Sequence, residues 1–212
     1  MISKIRSLTL VFTVFFLLEM LTLSVGESKN LNEDEQLIHV GVGAFKDGLY
    51  DIAEKQFSLF LREFPAHAKV QDVSYLLGKA FLSQGKWKEA KAIFSKMVQE
   101  NKSSDLMDYA LFWMAQTEMK LGNPDLSRRW LLSLLKNYPK FEWTDTVYYL
   151  LGILDVEAGK LDSAESFLKR VSLLSKQKEL IRKASFWLGI VSLKENGFEK
   201  ATHYLKPIWE DS

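Results

Sequence analysis

The chain has 212 residues, of which 47% are apolar and 26% are charged, and it has a net charge of +1 with no basic block of five or more residues. This composition is that of a globular protein with a substantial core, and it argues against a general electrostatic footprint for nucleic acid. Cysteine is absent, which excludes disulfides, thiolate metal sites, a cysteine nucleophile and a lipid anchor on an N-terminal cysteine.

Residues 1–26 have the features of a secretory signal peptide. Lys4 and Arg6 precede the apolar stretch Leu8–Leu18, and a site of small residues ends at Gly26. We therefore expect cleavage after Gly26 and a mature chain in the periplasm or the medium.

An uncleaved membrane anchor is the alternative. Leu8–Val25 spans only 18 residues, whereas a spanning helix needs about 20. Glu19 lies inside this stretch, where a carboxylate is costly in hydrocarbon. In both cases the remaining chain is expected outside the cytoplasm, and the polar residues 27–33 are expected to form a linker.

A pattern of small and large residues then returns every 37 residues, which is typical of a repeat architecture. It predicts one repeat domain over 34–212, with repeats at 34–70, 71–107, 108–144, 145–181 and 182–212. The first position of the pattern is small, namely Gly41, Gly78, Ala115, Gly152 and Gly189. The second marks a turn, with Gly48, Gly85, Gly122, Gly159 and Asn196. The third is small again, with Ala53, Ala90, Ser127, Ala164 and Ala201, and the fourth is large, with Phe57, Phe94, Leu131, Leu168 and Leu205.

Each repeat predicts a first helix of about fourteen residues, a turn and a second helix, which suits an antiparallel pair. Glycine ends the first helix because it accepts a positive φ without a steric penalty. Asn196 is expected to replace it in the last repeat, since asparagine is the next best residue for that conformation. The small residues are expected where the two helices of a pair cross.

The repeat resembles the tetratricopeptide repeat. The second repeat carries the motif as Leu77, Gly78, Gly85, Trp87, Ala90 and Phe94. The resemblance covers about 34–210 and implies an all-α, right-handed superhelical solenoid of about five antiparallel helix pairs. The period of 37 and doublets such as Phe186-Trp187 are similar to those of bacterial cell-envelope proteins, such as the periplasmic Tol-Pal-associated repeat proteins.

The first helix departs from the family pattern at one position. The family has a bulky residue three places after the small one, where this chain has Ala44, Phe81, Glu118, Asp155 and Ser192. The bulk stands one place later, which predicts a slight rotation of the inner face of that helix.

Two candidate partner-binding surfaces follow. The resemblance implies that the first helices line a concave groove, which would present Tyr75, Lys79, Phe112, Gln116, Lys120 and Tyr149. The aromatic residues have an alternative interpretation as packing between repeats, since apolar periodicity first reports burial. The second surface is the C-terminal end, with Ile208 and Trp209 beside Phe186 and Trp187.

No motif for catalysis or for metal binding is present, and the histidines His39, His67 and His203 are widely separated. We therefore expect no enzyme activity, no cofactor and no metal. The sequence predicts an extracytoplasmic scaffold that binds a protein or peptide in cell-envelope assembly or maintenance. The alternative is a membrane-anchored interaction subunit of an envelope complex. Homo-oligomers through the C-terminal end are a further expectation, whereas nucleic acid is not an expected partner.

Overall fold

A computed structural model describes residues 33–100 and 105–210 of the chain, with no side chains described at 209 and 210. The predicted signal peptide or anchor lies outside the described residues, and so does the predicted linker apart from Glu33. Glu33 begins the first helix.

The described residues form ten α-helices and contain no strand, which confirms the predicted all-α class. The helices are α1 (Glu33–Lys46), α2 (Tyr50–Glu63), α3 (Val70–Ser83), α4 (Trp87–Glu100), α5 (Met107–Lys120), α6 (Pro124–Asn137), α7 (Thr144–Glu157), α8 (Leu161–Leu174), α9 (Lys178–Lys194) and α10 (Phe198–Glu210). None of these helices is long and apolar enough to cross a membrane.

The chain forms two compact units, of which the first ends at Lys86 and the second begins at Trp87. In the first unit α1 and α2 form a hairpin, and α2 also packs against α3. In the second unit α5 pairs with α6, α7 with α8 and α9 with α10, while α4 packs on α5, α6 on α7 and α8 on α9. Each contact of a second helix with the first helix of the next repeat therefore lies inside one unit.

The turn inside each repeat has the predicted left-handed residue. The backbone φ is 77° at Gly48 and 70° at Gly159, and Asn196 takes the same conformation with a φ of 59°. The next residue closes the turn, as when the Lys160 N–H donates to the Asp155 carbonyl at 2.8 Å. These bonds satisfy carbonyls that a helix end would otherwise leave unpaired.

The glycine at the first pattern position makes room for the large residue at the fourth. A Cβ built on Gly41 would lie 2.5 Å from Cε1 of Phe57, and one on Gly152 would lie 2.6 Å from Cγ of Leu168. Both large side chains are fully buried. The predicted crossing of the two helices therefore has a specific form, in which a side chain of the second helix fills the space above a glycine of the first.

The predicted rotation of the first helix is wrong. The position three places after the small residue, where the family has a bulky side chain, is buried in every repeat. Its residues are at most 9% exposed, namely Ala44, Phe81, Glu118, Asp155 and Ser192. Two carboxylates are thus buried, at 2% exposure for Glu118 and 0% for Asp155. A buried carboxylate is costly unless a cation and hydrogen bonds accompany it.

Each buried carboxylate is paired with a cation from the preceding repeat. Lys91 Nζ lies 2.8 Å from Glu118 Oε1, and Arg128 Nε lies 2.6 Å from Asp155 Oδ1. Lys91 and Arg128 are themselves one period apart. A third group donates in each case, from Asn123 Nδ2 to Glu118 and from Ser163 Oγ to Asp155.

The ion pair sets the pKa of Asp155. Burial acts to raise this pKa, but hydrogen bonds from Arg128 and Ser163 and the positive charge of Arg128 overcome it, so that the pKa is lowered from its usual value of 3.8. The unfolded chain therefore binds more protons than the folded chain as the pH falls. The stability contributed by this carboxylate is complete above the usual pKa and is lost as the pH falls through the lower pKa of the folded state.

We predict that Gly152→Ala destabilises the fold by about 1–3 kcal/mol, because the new methyl group must displace the buried Leu168. The matched control is Gly43→Ala, at a helical glycine where a Cβ meets nothing within 4 Å. This control should stabilise the fold by about 0.5–1 kcal/mol through the helix propensity of alanine. Urea denaturation measures both effects, and equal effects of the two substitutions would contradict the proposed contact.

We predict that Asp155→Asn costs about 2 kcal/mol or more at neutral pH, since it leaves the Arg128 guanidinium without its counter-charge in a mostly buried site. Below about pH 4 the difference from the wild type should narrow, because protonation removes the same charge from the wild-type chain. The measurement is urea denaturation across the pH range. Glu157→Gln, at an exposed carboxylate of the same helix, is the control and should stay within about 0.5 kcal/mol of the wild type at each pH. A gap that is independent of pH would show that the charge of Asp155 is not responsible.

Candidate functional site

A cavity of about 260 Å³ opens between α7, α9 and α10 in the second unit. Its lining consists of Tyr149 from α7, Glu179, Arg182, Lys183, Phe186 and Trp187 from α9, and Ile208 from α10. Four of these seven side chains are apolar or aromatic, and three are charged. The cavity therefore combines an apolar floor with a charged rim.

The floor is held in place by the core beneath it. Tyr149 and Trp187 are half-buried and pack against the buried cluster that includes Leu168 and Leu188. Phe186 lies edge to face with Trp187, with ring centroids 5.8 Å apart, and yet keeps 46% of its surface exposed. An exposed aromatic ring on a packed support is the kind of surface on which partner side chains dock.

The rim has two cations on one carboxylate. Arg182 holds Glu179 in a two-pronged pair, with Nε to Oε2 at 2.8 Å and Nη2 to Oε1 at 3.0 Å. Lys183 Nζ lies farther away, at 3.6 Å from Oε1. The hydrogen bonds with Arg182 lower the pKa of Glu179 and raise the pKa of Arg182, so this pair stays charged near neutral pH. The rim consequently carries an excess of one positive charge.

The extra turn at the start of α9 brings Glu179 to the cavity. This helix has 17 residues and begins at Lys178, whereas α7 has 14. The repeat pattern of the sequence assigns no role to Glu179, Arg182 and Lys183. The spacing of Glu179 to cations three and four residues later is the signal that could have indicated a helical start there.

Two of the eight predicted partner-binding residues line this cavity. Tyr149 and Ile208 line the cavity, whereas the side chain of Trp209 lies outside the described residues. Lys79 Nζ lies 5.6 Å from the ring centroid of Tyr75, and Lys120 Nζ lies 5.9 Å from that of Trp87. Gln116 is half-buried on α5.

Phe112 is a core residue. It is 3% exposed, and its ring centroid lies 5.2 Å from that of Trp143 and 5.7 Å from that of Phe141. These rings form an edge-to-face cluster that also includes Tyr109 and Trp113. Phe112 therefore packs in the core, and the rings around it belong to its own repeat.

A second and wider cavity of about 550 Å³ lies on the first unit. Ile38 and Val42 of α1 line it together with Glu35, Gln36, His39 and Lys69. Ile38 has the same place in its repeat as Tyr149 and Phe186. The same side of the first helix is therefore recessed in both units, although only the second unit adds aromatic rings.

The family model of the tetratricopeptide repeat matches residues 72–104 and 109–140, which lie in the second and third repeats. No curated protein sequence matches the chain.

Solved structures share the fold at low sequence identity. MamA from Desulfovibrio magneticus matches with a TM-score of 0.71 and 16% identity, over 84% of this chain and 94% of that one. A tetratricopeptide repeat protein from Parabacteroides merdae matches with a TM-score of 0.72 and 17% identity, over 85% of this chain and 67% of that one. A thermophilic protein of the same repeat class from Thermus thermophilus matches with a TM-score of 0.57 and 17% identity, over 84% and 90% of the two chains. These matches confirm the predicted tetratricopeptide-like helical repeat fold.

Proposed function

We propose that this helical repeat protein is a non-enzymatic scaffold outside the cytoplasm. In this proposal the cavity between α7, α9 and α10 binds a segment of a protein or peptide partner. The observation that carries the proposal is the exposed Phe186 ring on the cavity floor beside a rim with excess positive charge. Helical repeat folds of this class are suited to protein–protein interaction.

The size of the cavity favours one large side chain as its occupant. Pockets for whole small ligands usually measure about 300–1,000 Å³, whereas this cavity measures about 260 Å³. An aromatic or long aliphatic side chain would cover Phe186 and Trp187 and would contact Ile208. The rest of the partner would then lie across the surface outside the cavity.

The charge of the rim favours an acidic group next to that apolar side chain. Arg182 is committed to Glu179 by two hydrogen bonds, whereas Lys183 is held only at 3.6 Å. Lys183 can therefore turn toward a carboxylate of the partner without breaking the Arg182 pair. Such an exposed ion pair adds orientation more than affinity.

The location is proposed from the N-terminal sequence. The charged, apolar and small-residue regions of 1–26 support export. The resemblance of the long repeat to Tol-Pal-associated proteins supports a role in cell-envelope assembly or maintenance. A membrane-anchored interaction subunit is the second candidate and is favoured by the apolar stretch Leu8–Leu18 if it is retained.

We predict that the purified full chain selects, from a displayed random-peptide library, segments with a large apolar residue next to Asp or Glu. Phe186→Ala should weaken binding of a selected peptide at least about tenfold, since it removes the exposed ring of the site. Lys183→Glu should weaken acidic peptides in particular and favour basic ones. Fluorescence anisotropy measures each affinity.

The control is Leu173→Ala, which removes an apolar side chain that is 82% exposed and does not line the cavity. It should leave the affinity unchanged. Selected peptides that bind the Phe186→Ala variant as tightly as the wild type would place the binding surface elsewhere.

We predict that the mature protein from a bacterial host begins at Glu27. N-terminal sequencing of the protein released from the periplasm checks this expectation. An intact Met1 in a membrane fraction would instead support the anchored subunit. A variant that lacks residues 2–26 is the control and should remain in the cytoplasm.

A further inference from the structure

Successive repeats join through one kind of junction inside the chain. The second helix of a repeat packs on the first helix of the next, as α2 does on α3 and α8 on α9. We call the side of a repeat that meets the preceding repeat its leading face, and the opposite side its trailing face. Each internal leading face has three side chains at most 4% exposed, namely Val73, Leu77 and Ala80; Ala110, Met114 and Thr117; Val147, Leu151 and Leu154; and Ala184, Leu188 and Val191.

Among the described residues, none covers the leading face of the first repeat. Gln36, Val40 and Gly43 take the places of those buried residues in α1. Gln36 is exposed, Val40 is 41% exposed, and a Cβ built on Gly43 would meet nothing within 4 Å. Apolar residues of α2 and its preceding turn extend this surface, because Leu49 is 49% exposed and Ile52 is 40% exposed.

Leu49 and Ile52 belong to the leading face because their equivalents in later repeats contact the repeat before. Lys86 has the place of Leu49, and its Nζ lies 2.6 Å from Glu54 of the first repeat. Lys200 has the place of Ile52, and its Nζ lies 3.3 Å from Glu165 of the fourth repeat.

The trailing face of the last repeat is open as well. Leu193 is 41% exposed and Phe198 is 66% exposed.

One equivalent of each residue inside the chain lies beneath a lysine of the next repeat. Lys79 Nζ lies 5.7 Å from the ring centroid of Phe45, which has the place of Leu193. Lys120 Nζ lies 5.9 Å from that of Trp87, which has the place of Phe198.

We infer that the trailing face of one copy of this chain binds the leading face of a second copy, so that the junction between repeats continues from chain to chain. The two open faces are the two halves of a junction that the chain already makes within itself. Among the described residues eight large apolar side chains are exposed, and five of them lie on these two faces: Val40, Leu49, Ile52, Leu193 and Phe198. The occupant that matches both halves is therefore the chain itself.

The internal junctions give the contacts of the proposed interface. Lys46 of the second copy would lie over Phe198, as Lys120 lies over Trp87. Thr202 and Ala44 take the places of Arg128 and Asp155, so the interface between copies has no ion pair to desolvate at that point. The interface joins two different faces, so it does not close at two copies and can add further ones. This inference is independent of the cavity in which the peptide is proposed to bind.

The test is sedimentation equilibrium of the purified full chain over a range of concentrations. Assemblies larger than a dimer should grow as the concentration rises. Phe198→Glu, which blocks the trailing face, and Val40→Glu, which blocks the leading face, should each lower the association constant at least about tenfold. Thermal unfolding followed by circular dichroism verifies that both variants keep the helical fold.

The decisive experiment is to mix the two variants, because each variant keeps the face that is blocked in the other. An equimolar mixture should form a dimer and nothing larger. The control is Ser166→Glu, which adds the same charge at a place that is exposed in all five repeats, and it should assemble as the wild type does.

A wild-type chain that stays monomeric at every concentration would overturn the inference. This conclusion is the same whether residues 1–32 or another protein occupies the leading face instead of a second copy. A dimer that forms no larger assembly as the concentration rises, and that persists in one of the two single variants, would also overturn the inference. That result indicates contact between two identical faces.

Discussion

The structure depends on one constraint: each first helix must bury one side against the second helix of the repeat before it. A helix pair has apolar surface on more than one side, and the hairpin contact covers only part of it. Glycine at the first pattern position lets Leu168 or Phe57 sit directly over the partner helix, and this close contact gives each hairpin its geometry. The side chains at the junctions then meet the next repeat with almost no exposed surface.

Two of these junctions contain a carboxylate where the family pattern has apolar bulk. Glu118 and Asp155 are tolerated because a cation from the preceding repeat reaches each of them and a further donor satisfies the second oxygen. Replacing a buried ion pair by apolar residues is often neutral for stability. The ion pair has a more specific effect on which repeats can be neighbours, since a repeat with Arg128 suits a neighbour that brings a carboxylate to the same point. These two junctions are chemically distinct from the open faces at Ala44 and Thr202.

The surfaces available for function are those that the junctions leave uncovered. The cavity floor is one of them, because α9 begins early and Phe186 keeps nearly half of its surface exposed. The leading and trailing faces are another, because Val40 stands in a place that every internal junction buries and because Leu193 and Phe198 expose apolar surface at the other end. The first surface suits a side chain of a different protein. The second suits a further copy of the same repeat, so scaffolding and self-assembly can occur on one chain without competition.

The sequence by itself determined the period, the all-α class and the turns, including the left-handed conformation at Asn196. These features are local: a glycine or an asparagine ends a helix by its own backbone preference, and periodic apolar residues mark the buried side of a single helix. The burial of Glu118 and Asp155, the core position of Phe112 and the approach of Glu179 to the cavity became evident from the packed helices and not from the pattern. The first two depend on groups distant in the chain, such as Arg128 across a junction for Asp155 and the rings of Phe141 and Trp143, before α7, for Phe112. The spacing of residues in one repeat does not indicate which distant side chain will neutralise a buried carboxylate or cover an aromatic ring.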